Sequence, residues 1–163
     1  RTYGLETVAL RYFNVFGLGQ DPKSQYAAVM PLFITAFLDG SRITIHGDGE
    51  QSRDFTFVEN VIQANVKAAT APKASGEVFN IACGNGTSLN QVIDHLRTFT
   101  EVDTEVVYGP DRVGDIKHSL ASIDKARELL GYDPTVSVAA GLRMSVEWYR
   151  SVRKEPAGGS PVS

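Results

Sequence analysis

Apolar positions fall along this chain in alternating runs of strand and helix period. Thr7-Val8-Ala9-Leu10-Arg11-Tyr12-Phe13-Asn14-Val15-Phe16 is almost continuously apolar, the pattern of a parallel strand covered on both faces. Gly17 to Gln25 is a polar loop, and residues 20 to 29 are expected to stay extended beside a cleft. Pro31 suits the first turn of a helix, so a helix is expected from Pro31 to a stop at Gly40. Ile43-Thr44-Ile45 and Phe55-Thr56-Phe57 flank Gly47-Asp48-Gly49 and predict a hairpin: strand, tight turn, strand. Val58, Val61, Ile62, Asn65, Val66 and Ala69 fall near one face of a helix predicted over 58–71. Glu77 to Cys83 predicts another apolar strand, and Ser88 with Gln91 forms a capping box that opens a helix to about Thr100. Thr104 to Tyr108 alternates weakly and predicts a strand, followed by a loop over 109–119. Ser122 is expected to cap a short helix ending at Leu130 and Gly131. Ser137 is expected to cap the last helix, with Val138, Leu142, Ser145, Val146 and Tyr149 on one face.

Strands alternating with helices in this way predict an α/β fold. A parallel strand over 7–16 needs neighbours, and Arg1-Thr2-Tyr3-Gly4 reads as the end of a helix, so the chain is expected to begin inside an α/β domain. Pro156 to Ser163 has the composition of a disordered tail. With 163 residues there is room for one domain with a real core. The net charge of −3, with no basic block or stripe, argues against nucleic acid as a partner. The lone Cys83 permits no internal disulfide and fits a reducing compartment. No apolar run has membrane-spanning length, so no membrane contact is expected.

The chemistry-bearing residues are few. His46, His95 and His118 are scattered without metal-ligand spacing, and no Gly-x-Ser-x-Gly elbow is present. Gly84-Asn85-Gly86 follows a strand, but the third glycine of a dinucleotide turn is replaced by Leu89, and a strand-to-helix turn with a capping box explains it. Arg53 and Arg112 each lie in a Gly-containing loop near an Asp, as Arg53-Asp54 and Arg112-Val113-Gly114-Asp115. Two such loops could clamp a diphosphate, with Asp54 holding Arg53 and Asp115 accepting from a ribose hydroxyl. By pattern alone, a hairpin with a surface ion pair accounts for the same residues.

Taken together the motifs resemble a family. Leu10-Arg11-Tyr12-Phe13-Asn14-Val15-Phe16-Gly17, Gly47 to Val61, Phe79-Asn80-Ile81-Ala82-Cys83-Gly84 and the Arg112 to Asp115 loop resemble, in the same order, segments of extended short-chain dehydrogenase/reductases, the NAD-dependent epimerases and dehydratases. Gln20-Asp21-Pro22 and Tyr26-Ala27-Ala28-Val29-Met30-Pro31 look most like the UDP-N-acetylglucosamine and UDP-glucose 4-epimerases. The resemblance implies the C-terminal part of a Rossmann-like parallel sheet, incomplete, plus a small α/β substrate-binding domain. Residues 1–19 would belong to the Rossmann part and 20–150 to the nucleotide-sugar-binding portion, with 77–100 returning to the Rossmann sheet and 151–163 a disordered tail. The family's Gly-rich NAD turn and Tyr-x-x-x-Lys are not in this sequence, so the chain resembles a C-terminal half that supplies no catalytic residue and is inactive alone.

By the same resemblance Phe13 would lie near the nicotinamide of NAD. Asn14 would reach the substrate diphosphate region, and Gln20 the sugar. Backbone at Ala28 and Val29 would meet the nucleotide or sugar. Arg53 and Arg112 would hold phosphates, Asp115 the uridine ribose, and Ser119 would lie near the sugar. A purely structural role stays open for Gln20 and Ser119. The implied partner is a UDP-sugar, the implied cofactor NAD, the whole enzyme a homodimer, and the compartment the cytoplasm. A sugar-nucleotide dehydratase or UDP-glucuronate decarboxylase fragment, a stand-alone sugar-nucleotide-binding module, and a fragment that binds nothing are the alternatives.

Overall fold

A computed structural model describes residues 4–22 and 28–154. In chain order its elements are β1 (Ala9–Tyr12), β2 (Val15–Phe16), α1 (Val29–Asp39), β3 (Ile43–His46), β4 (Ser52–Arg53), β5 (Thr56–Phe57), α2 (Val58–Thr70), β6 (Val78–Ile81), β7 (Thr87–Ser88), α3 (Leu89–Thr100), β8 (Val106–Gly109), β9 (His118–Ser119), α4 (Asp124–Leu130) and α5 (Val138–Lys154). The fold is mixed α/β with short, mostly parallel sheets.

The apolar run from Thr7 to Phe16 is two strands, not one. It breaks at Asn14, whose φ of 37° lies on the left-handed side that Asn tolerates better than most residues. Before the break β1 runs parallel to β6; after it β2 runs parallel to β5. The break is held by the Asn14 carbonyl, which accepts from the Thr56 amide at 3.2 Å, and by Asn14 Nδ2, which donates to the Asp54 carbonyl at 3.3 Å.

The hairpin expected over 43–57 does not form. β3 pairs in parallel with β8, and β4 lies between antiparallel β7 and parallel β9. The glycine turn is real, with Gly47 at φ 86° and Gly49 at φ 78°, but it diverts the chain instead of folding it back. The Gly47 amide donates to the Gly109 carbonyl at 3.0 Å, continuing the β3–β8 ladder into the turn. Both positions favour glycine for φ, and Gly49 also for space, since a Cβ there would run into the amide of Asn90, which is pinned by its own hydrogen bonds.

Helix boundaries follow local chemistry. α1 begins at Val29, earlier than expected, which leaves Pro31 in the first turn, where a missing N–H has no intrahelical partner to lose. Gly40 ends it at φ 63°. The capping box of α3 is complete: Ser88 Oγ accepts from the Gln91 amide at 3.2 Å, and Gln91 Oε1 accepts from the Ser88 amide at 2.9 Å. α4 starts at Asp124 with Ile123, not the expected Ser122, at its N-cap; the Ser122 hydroxyl instead donates to the Asp124 carboxylate at 2.8 Å. α2 buries Asn60, Val61, Ala64 and Ala68, and leaves Ile62 and Val66, assigned above to its apolar face, exposed. α5 runs to Lys154, beyond the boundary at 150 and into the expected tail, and Arg153 pairs with Asp39 of α1 at 2.7 Å. The remaining tail residues, 155–163, lie outside the described residues, as do Arg1, Thr2, Tyr3, Tyr26 and Ala27. Among the described residues no helix is long and apolar enough to cross a membrane.

Two apolar clusters result. The larger packs α1, α3 and α5 over Phe16, Ile43, Ile45, Phe55 and Phe57; the smaller gathers Phe79, Ile81, Ala82, Ile123 and Tyr132 beneath α2 and α4. Phe16 meets Phe57 edge-on at 5.5 Å and Phe55 at 6.4 Å. Gly141 lets α5 lie directly on this aromatic group: a Cβ there would fall 2.6 Å from the ring of fully buried Phe57. Alanine favours a helix interior over glycine by about 1 kcal/mol. Forcing the Phe57 ring out of a packed core costs about 1–3 kcal/mol. Gly141→Ala should therefore destabilise the fold by up to about 2 kcal/mol, read as a lower urea midpoint; a raised midpoint would show that the ring moves freely.

Candidate functional site

The N-terminus of α1, the ends of β2 and β3, β4 and the loop over 110–117 enclose a cavity of about 460 Å³. Its floor is apolar, with Val15, Phe16, Met30, Phe33, Ile45 and Phe55. Its polar lining comes from Asn14, Thr44, His46, Gln51, Arg53, Arg112 and Asp115, with Ala28 and Val29 at the α1 end. Six residues singled out from the sequence therefore meet around one space: Asn14, Ala28, Val29, Arg53, Arg112 and Asp115. A smaller polar recess of about 180 Å³ adjoins it, sharing His46, Gln51, Arg112 and Asp115 and adding Asp48, Asp111 and Lys117.

Arg53 is held by three acceptors. Nη1 donates to the Ser52 carbonyl at 2.9 Å and the Lys117 carbonyl at 3.4 Å, and Nη2 donates to Asp115 Oδ1 at 2.6 Å. The partner expected from sequence, Asp54, is not among them. Successive residues of an extended strand point to opposite sides, so Arg53 faces the cavity while Asp54 turns inward. Asp54 is fully buried; Oδ1 accepts from the Cys83 amide at 2.8 Å, and Oδ2 from the amides of Gly84 at 3.0 Å and Ala121 at 3.4 Å. Burial pushes this carboxyl above its ordinary value, opposed by those amides.

Arg112 and Asp115 are brought side by side by a tight turn, in which the Asp115 amide donates to the Arg112 carbonyl at 3.1 Å and Gly114 takes φ 84°. In the recess, the Glu50 amide and Lys117, 3.3 Å away, hold the Asp48 carboxyl below its usual range. Asn90 pins the glycine turn from α3: its Nδ2 donates to the Asp48 carbonyl at 3.1 Å and to Glu50 Oε1 at 2.5 Å. The parts played by Asp54 and Asn90 were not legible in the sequence, because every partner of either is remote along the chain.

Three further sequence candidates lie elsewhere. Phe13 packs against the smaller core cluster. Gln20 lines a separate depression with Trp148 and Tyr149, and the Tyr149 hydroxyl donates to its carbonyl. Ser119 sits on β9 in register with Arg53 but outside the cavity lining. Among the described residues no group of three His, Cys, Asp or Glu could hold a metal ion.

The glycine turn after β6 does not fit a dinucleotide cradle. The Cys83 and Gly84 amides that would face a phosphate already donate to Asp54. Cys83 is equally committed: burial, then the Asp54 charge, pushes its thiol up, and Asn60 Nδ2 donates to its sulfur at 3.7 Å. Its reaction with a disulfide reagent at pH 8 should be slower in the folded chain than after urea unfolding; equal rates would show an open thiol.

A family profile described as the NAD dependent epimerase/dehydratase family matches residues 1–82. The UDP-glucose 4-epimerase of Thermotoga maritima, solved with UDP-glucose, is 41% identical with a TM-score of 0.87; the alignment covers 93% of this chain and 48% of that one. The UDP-N-acetylglucosamine 4-epimerase of Methanobrevibacter ruminantium, solved with UDP-N-acetylmuramic acid, is 43% identical with a TM-score of 0.85 over the same shares. The UDP-glucose 4-epimerase of Mycolicibacterium smegmatis is 34% identical over 149 residues, 91% of this chain and 47% of that protein. The chain spans about half the length of these relatives.

Proposed function

This chain belongs to the NAD dependent epimerase/dehydratase family, and we propose that it forms the nucleotide-sugar-binding part of an NAD-dependent UDP-sugar 4-epimerase. The observation that carries this reading is the convergence of Arg53 and Arg112 on the lining of one largely apolar cavity. A guanidinium suits a phosphate because its planar fork matches two oxygens at once. The cavity is of the size that encloses a small ligand. In this reading Arg53 and Arg112 take the diphosphate, Asn14 lies beside it, and Asp115 takes a ribose hydroxyl. The backbone at Ala28 and Val29 meets the nucleotide or sugar. Phe13 toward the nicotinamide, and Gln20 and Ser119 toward the sugar, belong to the same proposal from their motif positions; all three lie outside the cavity lining.

The chain's own contribution is to bind and orient. The nucleotide is the fixed handle, and its binding energy holds a sugar in place for chemistry done by other groups. NAD would supply the hydride chemistry, and the described residues offer it no phosphate cradle. The whole enzyme in this reading is a cytoplasmic homodimer.

Calorimetric titration of this chain with UDP at two salt concentrations tests the reading. Binding that weakens as salt rises is the expected result, because exposed phosphate contacts are screened. Absence of binding by a folded chain would overturn it.

A further inference from the structure

Asp54 is a fully buried carboxylate whose oxygens take only main-chain amides. Those amides come from two places. Cys83 and Gly84 follow β6, which belongs to the sheet formed with β1. Ala121 follows β9, which lies beside β4 in the three-stranded sheet. Asp54 itself follows β4 directly, so one side chain ties the ends of three strands from two sheets. The registers make the consequence specific: Ser52 pairs with His118 and Arg53 with Ser119. The β9 strand continues from the loop that carries Arg112, Asp115 and Lys117, and Arg53 takes its three acceptors from Ser52, Lys117 and Asp115.

We propose that Asp54 is the positioning residue of the phosphate clamp: by holding the end of β9 against β4, it fixes the Arg53 guanidinium between the Lys117 carbonyl and Asp115, facing the cavity. The role deepens the UDP-sugar reading and rests on it. It needs a carboxylate and not merely a polar side chain. An Asn there would turn an NH₂ toward amide donors and lose at least one of the three bonds. Asp54 touches no ligand in this scheme and acts through Arg53 and the loop.

The test compares Asp54→Asn with the unaltered chain in two readouts. The first needs no ligand: the nitrogen-15 NMR signal of the Arg53 guanidinium, which pairing with Asp115 slows in exchange, should be lost or broadened in the variant. The second is binding of UDP against uridine, which lacks the diphosphate. UDP affinity should fall at least tenfold and uridine affinity by clearly less, because uridine keeps only the ribose contact at Asp115 on the same loop. A guanidinium signal and UDP affinity both unchanged would overturn the proposal, as would equal losses for UDP and uridine, the mark of a general structural defect. Should the variant fail to fold, amide exchange in the unaltered chain decides: UDP should slow exchange at Cys83, Gly84 and Ala121, and unchanged exchange would overturn the coupling. Absence of UDP binding by the unaltered chain would remove the functional reading and leave the guanidinium signal to judge Asp54 separately.

Discussion

Asn60→Ala should lower the stability of this chain by about 3 kcal/mol, the sum expected when a buried side chain gives up its hydrogen bonds to three partly buried main-chain groups. Asn60 is fully buried on α2 and serves the segment before α5. Its Oδ1 accepts from the amides of Thr135 at 3.0 Å and Val136 at 3.1 Å, and its Nδ2 donates to the Val136 carbonyl at 2.8 Å. No sheet ladder includes residues 135 and 136, so the side chain stands in for one. For a domain of this size the loss corresponds to a fall of roughly 10 °C in the thermal midpoint. Asn60→Asp keeps an acceptor for the two amides but gives the Val136 carbonyl no donor while ionised, and adds a buried charge. It should therefore remain well below the unaltered chain. A midpoint within 2 °C of the unaltered chain for Asn60→Ala, a margin worth about 1 kcal/mol or less, would show that water replaces the side chain without loss.

Arg53→Ala should weaken UDP binding by about 1.5–3 kcal/mol, roughly ten- to more than a hundredfold, the range for a hydrogen bond to a charged group. Two effects add. The forked contact is lost, and Asp115, which Arg53 neutralises at 2.6 Å, is left as a bare carboxylate on the lining of the cavity that receives the diphosphate. Arg53→Lys should recover only part, because an ammonium keeps the charge but not the fork. Combining Arg53→Ala with Asp115→Asn should recover another part by removing the repulsion. Folding stability should change less than affinity in Arg53→Ala, since the pair opens to solvent on its Asp115 side, 41% exposed. The discriminating measurement is therefore affinity by calorimetry beside thermal midpoint. Unchanged UDP affinity would remove Arg53 from the clamp.

Most of the element order was legible from local pattern, because helix caps and apolar periods are local. The capping box at Ser88 and Gln91 and the stop at Gly40 needed nothing beyond their own neighbours. Pairing was less legible. The alternation over 43–57 marked strands but not their partners, and the hairpin rule chose the nearest strand where the structure uses β2, β7, β8 and β9. Asn14 hid the break in the first apolar run, since nothing in Phe13-Asn14-Val15 requires a positive φ. Within the site, residue type and motif order pointed to Arg53, Arg112 and Asp115, which the fold does place together. The same motif order did not bring Gln20 or Ser119 to that cavity. Adjacency in sequence misassigned Asp54 to Arg53, because neighbouring strand residues face opposite ways.

The remote strand pairs have a consequence for how the protein is made. Synthesis runs from the N-terminus, so Arg53 leaves the ribosome before Asp115, Lys117 and the β9 strand that will hold it. β1 likewise waits for β6, and β3 for β8. Until those later segments emerge, Phe16, Phe55 and Phe57 have no finished core in which to hide. A nascent chain of this kind exposes aromatic surface until the α3 and α5 segments that cover it have been made.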